Sequence, residues 1–153
     1  MSIRFATLED VPALVEGGSR MHALTRFRSQ PYNAQKVAQA FVDLITRGQG
    51  KYAFVVATGA KGQIVGALIG VMEQQIFSDG FTASVMHIDV LPEARMGGYG
   101  VRLLKAFEQW AINRRAVEIY FGVNSDSEVE MLERFALKMG YRKVGGNFAR
   151  KVP

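Results

Sequence analysis

Residues 82–123 constrain the fold of this chain more than any other stretch. TASVMHIDVL (82–91) is a β-rich run, and PEARMGGYG (92–100) then places Arg95 ahead of three glycines. Val101, Leu104, Phe107 and Ala111 recur at helical spacing, and AVEIYFGV (116–123) is a second β-rich run. Two strands joined through a helix of this length pair in parallel with a right-handed crossover, which sets the glycines at the carboxyl end of a central strand. Alternation along 82–91 predicts Met86, Ile88 and Val90 on one face, with His87, Asp89 and Leu91 on the other.

The flanking sequence supplies the rest of a sheet. SIRFA (2–6) alternates as a half-buried strand. Thr7 followed by Asp10 resembles a capping box for a helix over about 8–24, and Asn33 caps a second helix carrying Val37, Phe41, Leu44 and Ile45. YAFVVAT (52–58) and QIVGALIGVME (63–73), separated by GAKG, read as a hairpin. Ser127 with Glu130 predicts another capped helix through Leu132, Phe135, Ala136 and Met139, closed by Gly140. The tail from Tyr141 holds enough Val and Phe for one or two short final strands. The expectation is one α/β (α+β) domain over 1–153, in the order β-α-α-β-β-β-α-β-α-β. Its mixed, mostly antiparallel sheet has about six to seven strands and is flanked by four helices.

Composition narrows the chemistry. Forty-eight per cent of residues are hydrophobic and 22% charged, the balance of a globular protein. The absence of cysteine removes disulfides, thiolate nucleophiles and Cys-ligated zinc. A net charge of +5 favours an anionic ligand. The basic residues are scattered, however, which argues for a solvated surface rather than a nucleic-acid interface. Arg26, Arg28 and Tyr32, between the first two helices, are what a nucleic-acid reading would use. No membrane span and no leader pattern are read, so a cytoplasmic protein is expected.

Glycines just ahead of a helix clear the approach to its free N–H groups and positive dipole end, and Arg95 adds a forked donor suited to phosphate. A P-loop needs Lys and then Ser or Thr after the last glycine, but Val101 and Arg102 follow Gly100. A dinucleotide fingerprint needs a glycine where Leu103 stands. The segment Arg95-Met-Gly-Gly98-Tyr-Gly100, preceded by Val90-Leu-Pro92, instead resembles the acyl-CoA-binding motif of the GNAT superfamily of N-acyltransferases. The element order resembles that fold over essentially the whole chain.

The resemblance implies acetyl-CoA as co-substrate, its pyrophosphate on Arg95, Met96, Gly97, Gly98, Tyr99, Gly100 and Val101. It implies the pantetheine arm along Val90 and Leu91, with Asn124 as a further cofactor contact; Asn124 suits a strand-ending turn or helix cap equally well. The implied reaction is N-acetyl transfer to a primary amine of a small molecule or peptide by direct attack on the thioester. A group must take the amine's proton, and His87 or Asp89 is placed for this, His87 having the better intrinsic pKa. Many family members carry a tyrosine where Ala136 stands, as acid toward the leaving thiolate. Its absence keeps open a non-catalytic acyl-CoA-binding module. Asp126, Glu128, Glu130 and Glu133 read as helix-dipole partners, so no metal site is expected. Phe27, Arg28 and Tyr32 suggest an acceptor bearing an anionic group, and an exposed strand edge offers a surface for a homodimer.

Overall fold

The computed structural model describes residues 2–153. A single sheet runs in the spatial order β1 (Ser2–Phe5), β2 (Tyr52–Thr58), β3 (Ile64–Gln74), β4 (Phe81–Val90) and β5 (Glu118–Phe121). Neighbours are antiparallel from β1 to β4, whereas β4 and β5 are parallel, as the crossover between them requires. Four α-helices flank it: α1 (Val11–His22), α2 (Ala34–Arg47), α3 (Tyr99–Asn113) and α4 (Val129–Lys138). Short 3-10 turns cover Leu8–Asp10, Arg26–Ser29 and Pro92–Gly97. No helix of the described residues is long and apolar enough to cross a membrane.

Each face of the sheet has its own core. On one face, Val55, Leu68, Met72, Ala83 and Val85 meet Leu103, Leu104, Phe107 and Trp110 of α3, with Phe135 of α4 and Met139 just past its end packed alongside. On the other, Phe54, Val56 and Ile69 meet Leu14 of α1 and Phe41, Leu44 and Ile45 of α2. Gly70 explains a glycine in the middle of β3: a Cβ there would lie 2.1 Å from the Phe107 ring, so only glycine lets that ring down onto the strand.

Local capping follows the sequence at most ends. The Thr7 amide donates to Asp10 Oδ2 at 2.8 Å, and the Asn33 side chain accepts from the Lys36 amide at 3.1 Å. Gly140 closes α4 at φ 92°, with the Tyr141 amide donating to the Ala136 carbonyl at 3.0 Å. The Ser127–Glu130 box is not used, because α4 begins at Val129 with Glu128 in the left-handed conformation as its N-cap.

Two expectations are corrected. The ladder passes from Ile69↔His87 directly to Gly70↔Val85, leaving Met86 as an unpaired bulge residue. The extra residue resets the period-two alternation, so Val85 joins Ile88 and Val90 toward α3 and Met86 stands apart, 47% exposed. The sheet has five strands rather than six or seven, because residues 141–153 form no strand. Gly145 and Gly146 interrupt this tail, β5 offers only four residues of edge, and Asn147 Nδ2 donating to the Val123 carbonyl at 2.9 Å ties the tail back. A cavity of about 2040 Å³ separates the tail from β5 and α4.

The Arg4–Asp10 ion pair, at 2.7 Å, joins β1 to the turn before α1. Hydrogen bonding from Arg4, and from Thr7, lowers the Asp10 carboxyl from 3.8 to about 2. A carboxyl depressed on folding stabilises above its unfolded pKa and loses that contribution as pH falls through the folded value. Asp10→Asn is therefore expected to lower stability by about 1–2 kcal/mol near neutrality. The difference from wild type should vanish between pH 4 and 2 in denaturant titrations.

Candidate active site

The two parallel strands pair over four residues only, from Thr82↔Glu118 to Val85↔Phe121. Beyond this β4 runs on to Val90 paired with β3 alone, while β5 ends at Phe121 and the Asn124 and Ser125 carbonyls are bonded to Arg26 of the α1–α2 loop, so the strands part like the arms of a V. The Leu91 amide donates to the Val65 carbonyl at 2.9 Å, so at Leu91 the backbone turns toward β3. Alternate residues of a strand turn their backbone groups to opposite neighbours, which aims those of Ile88 and Val90 into the gap. The Leu91 carbonyl is also taken, by the Ala94 amide at 2.8 Å. Val90, not Leu91, thus turns its backbone toward the cleft, with its carbonyl taken by Arg95 Nε.

The mouth of the V is the turn at Pro92–Gly97 and the start of α3. Gly98 is the N-cap at φ 72°, a conformation that disfavours any residue with a Cβ, and no side chain caps the helix. Its first N–H groups, at Tyr99, Gly100 and Val101, lack intrahelical acceptors and point out of the helix end. Gly97 lies under the Tyr99 ring, and Met96 is fully exposed. Arg95 is three-quarters buried and reaches both walls: Nε donates to the Val90 carbonyl at 3.3 Å, and Nη1 pairs with Glu128.

His87 and Asp89 share the opposite face of β4 from α3, the face on which α1 and α2 pack. Asp89 is exposed, yet desolvation raises its carboxyl from the ordinary value, against the charges of His87 and Arg95. His87 is exposed and is the first residue after the bulge. Next to Met86, and without His87 or Asp89 in its lining, a cavity of about 1050 Å³ opens among Tyr52, Glu73, Ser84, Met86 and Asn124. Glu73 accepts from Ser84 Oγ at 3.0 Å within it.

Asn124 is no helix cap. Its carbonyl accepts from Arg26 Nε at 2.6 Å, while the Arg26 amide donates to the Ser125 carbonyl at 2.9 Å, binding the α1–α2 loop to the β5–α4 loop. Tyr32 is equally structural: its hydroxyl donates to the Val15 carbonyl at 2.8 Å and its ring lies 5.3 Å from that of His22. Ala136 faces the cavity beside β5, and Tyr141 packs against the α3-side core, where burial, with Glu108 beside it, pushes its pKa up. Sequence reasoning missed Glu73 and gave Arg26 and Glu128 other roles, as a nucleic-acid contact and a helix-dipole partner. The partners of Arg26 and Glu128 lie far along the chain, so no local pattern marks these bonds.

The model of the Acetyltransferase (GNAT) family matches residues 20–142, and the chain belongs to that family. Solved structures share the fold at low identity. An acetyltransferase from Trypanosoma brucei has 16% identity and a TM-score of 0.75, covering 99% of each chain. An aminoglycoside 6'-N-acetyltransferase from Acinetobacter baumannii has 18% identity and a TM-score of 0.74, again covering 99% of each. A structure described as a transcriptional regulator from Bacillus halodurans C-125 has 18% identity and a TM-score of 0.79, covering 99% of each. No curated protein matches the chain by sequence.

Because the charge of His87 holds the Asp89 carboxyl down, removing it should leave desolvation less opposed. His87→Ala is expected to raise the Asp89 pKa further, as read from its side-chain carboxyl carbon in an NMR titration.

Proposed function

We propose that the protein is an acetyl-CoA-dependent N-acetyltransferase acting on a primary amine. The observation that carries this reading is the V between β4 and β5, whose closed end meets the His87 face and whose mouth meets the uncapped start of α3. A long thioester arm fits such a gap, with its anionic end at the mouth and its acyl end beside the bulge. The site's own residues fit that cofactor: Tyr99, Gly100 and Val101 would hold phosphate oxygens by backbone amides, Arg95 by its guanidinium, and Val90 the amide groups of the arm.

The acceptor would enter from the cavity beside Glu73, Ser84 and Met86, one residue along β4 from His87. There His87 takes the proton of the attacking amine as general base. Asp89, two residues along the same face, steadies the imidazolium that forms. Attack on the thioester carbonyl forms the amide bond, breaks the carbon–sulfur bond and releases the CoA thiolate. A thiolate leaves readily without a protonating side chain, which is compatible with Ala136.

The test is thiol release from acetyl-CoA across primary amines, including aminoglycosides, polyamines, amino acids and peptide N-termini. The expected result is release with at least one amine, with kcat lowered about 100-fold in His87→Gln. Acetyl-CoA binding by calorimetry with no release from any amine would instead favour a non-catalytic acyl-CoA-binding module, the reading that Ala136 supports.

A further inference from the structure

Arg95 lies across the cleft it is meant to serve. Its Nε is bonded to the Val90 carbonyl of β4, and its Nη1 is paired with Glu128 on the β5–α4 loop. These are the two walls of the V, so the side chain spans the path that a thioester arm would take. Val90 is the residue whose backbone turns into the gap next to the mouth, and its carbonyl is already occupied. A ligand entering here must therefore move Arg95 off both partners.

The partner on the far wall is built for this role rather than for capping its helix. Glu128 holds φ 54° and ψ 34°, a left-handed conformation that disfavours a side chain, and it makes no capping hydrogen bond. It puts a carboxylate within reach of Arg95 where a phosphate could otherwise bind. A carboxylate brings one negative charge and two oxygens to a guanidinium. A pyrophosphate brings more charge and, beside it, the free amides at the start of α3.

We propose that Glu128 is an internal counter-anion that holds Arg95 across the cleft until ligand phosphate displaces it, so that this pair admits a phosphate-bearing acyl carrier and shuts out a phosphate-free thioester. The proposal rests on the cofactor reading above. Displacement exchanges one ion pair for another, with no covalent step. It makes Arg95 act in two opposite senses, as a barrier to an uncharged arm and as a contact for a charged one.

Calorimetry with two ligands separates these senses: acetyl-CoA, and acetyl-pantetheine, which carries the same arm without phosphate. Glu128→Gln is expected to bind acetyl-CoA about threefold to fivefold more tightly than wild type, the gain for losing a partly exposed competing ion pair. Arg95→Ala is expected to weaken acetyl-CoA while strengthening acetyl-pantetheine. Glu128→Asn, a residue that tolerates the left-handed conformation, repeats the Gln measurement if that variant folds poorly. Unchanged or weaker acetyl-CoA binding in both Glu128 variants overturns the proposal, as does Arg95→Ala weakening both ligands alike; a purely structural role gives these results. If wild type and both Glu128 variants all fail to bind acetyl-CoA, the cofactor reading falls and the proposal with it. Wild-type binding that is insensitive to Glu128 removes only the proposal.

Discussion

The parting of β4 from β5 after four paired residues is the constraint on which the site depends. A strand that loses one neighbour exposes backbone groups that must find other partners. β4 can lose β5 because it keeps β3 along nearly its whole length, from Gln74↔Phe81 to Gly66↔Val90. Its α3 face is held by a core in which Leu103, Leu104 and Phe107 are wholly buried. Rigidity on one side thus permits an open gap on the other.

The bulge at Met86 does a second job. By inserting one residue it keeps apolar side chains on the α3 face both before and after it, with Ala83 and Val85 on one side and Ile88 and Val90 on the other. The polar pair His87 and Asp89 is thereby fixed on the open face, just past the point where β5 leaves. Sheet bending and side-chain placement come from the same extra residue.

Much of this was legible in the sequence because it is local. The strand–glycine–helix–strand order, the Thr7, Asn33 and Gly140 end signals and the placing of His87 and Asp89 on one face all depend on residues a few positions apart. The bulge was not legible, since MHIDV alternates acceptably in either register and only the pairing with Ile69 and Gly70 decides it. The tail misled for a related reason: Val144, Phe148 and Val152 suggest a strand, yet they stand 69%, 99% and 90% exposed. A strand needs a partner edge, and β-propensity says nothing of whether one is met. The site's cross-links were illegible altogether, because Arg95 and Glu128 are 33 residues apart and Arg26 and Asn124 are 98 apart.

Those cross-links share a character that bears on how the site works. Arg20 of α1 grips Glu93 with two bonds of 3.0 Å, Arg26 holds the Asn124 carbonyl, and Arg95 pairs with Glu128. The mouth of the cleft is therefore closed by guanidinium groups, while the base of the sheet is closed by packed apolar side chains. Apolar packing is indifferent to an incoming anion, and opening it means exposing surface to water. An ion pair at a partly exposed mouth is different: it contributes little to stability, and a competing anion of higher charge exchanges for it at little cost. A basic chain with its arginines set at the rim of an otherwise well-packed fold can thus admit an anionic ligand without loosening the core that holds β4 in place.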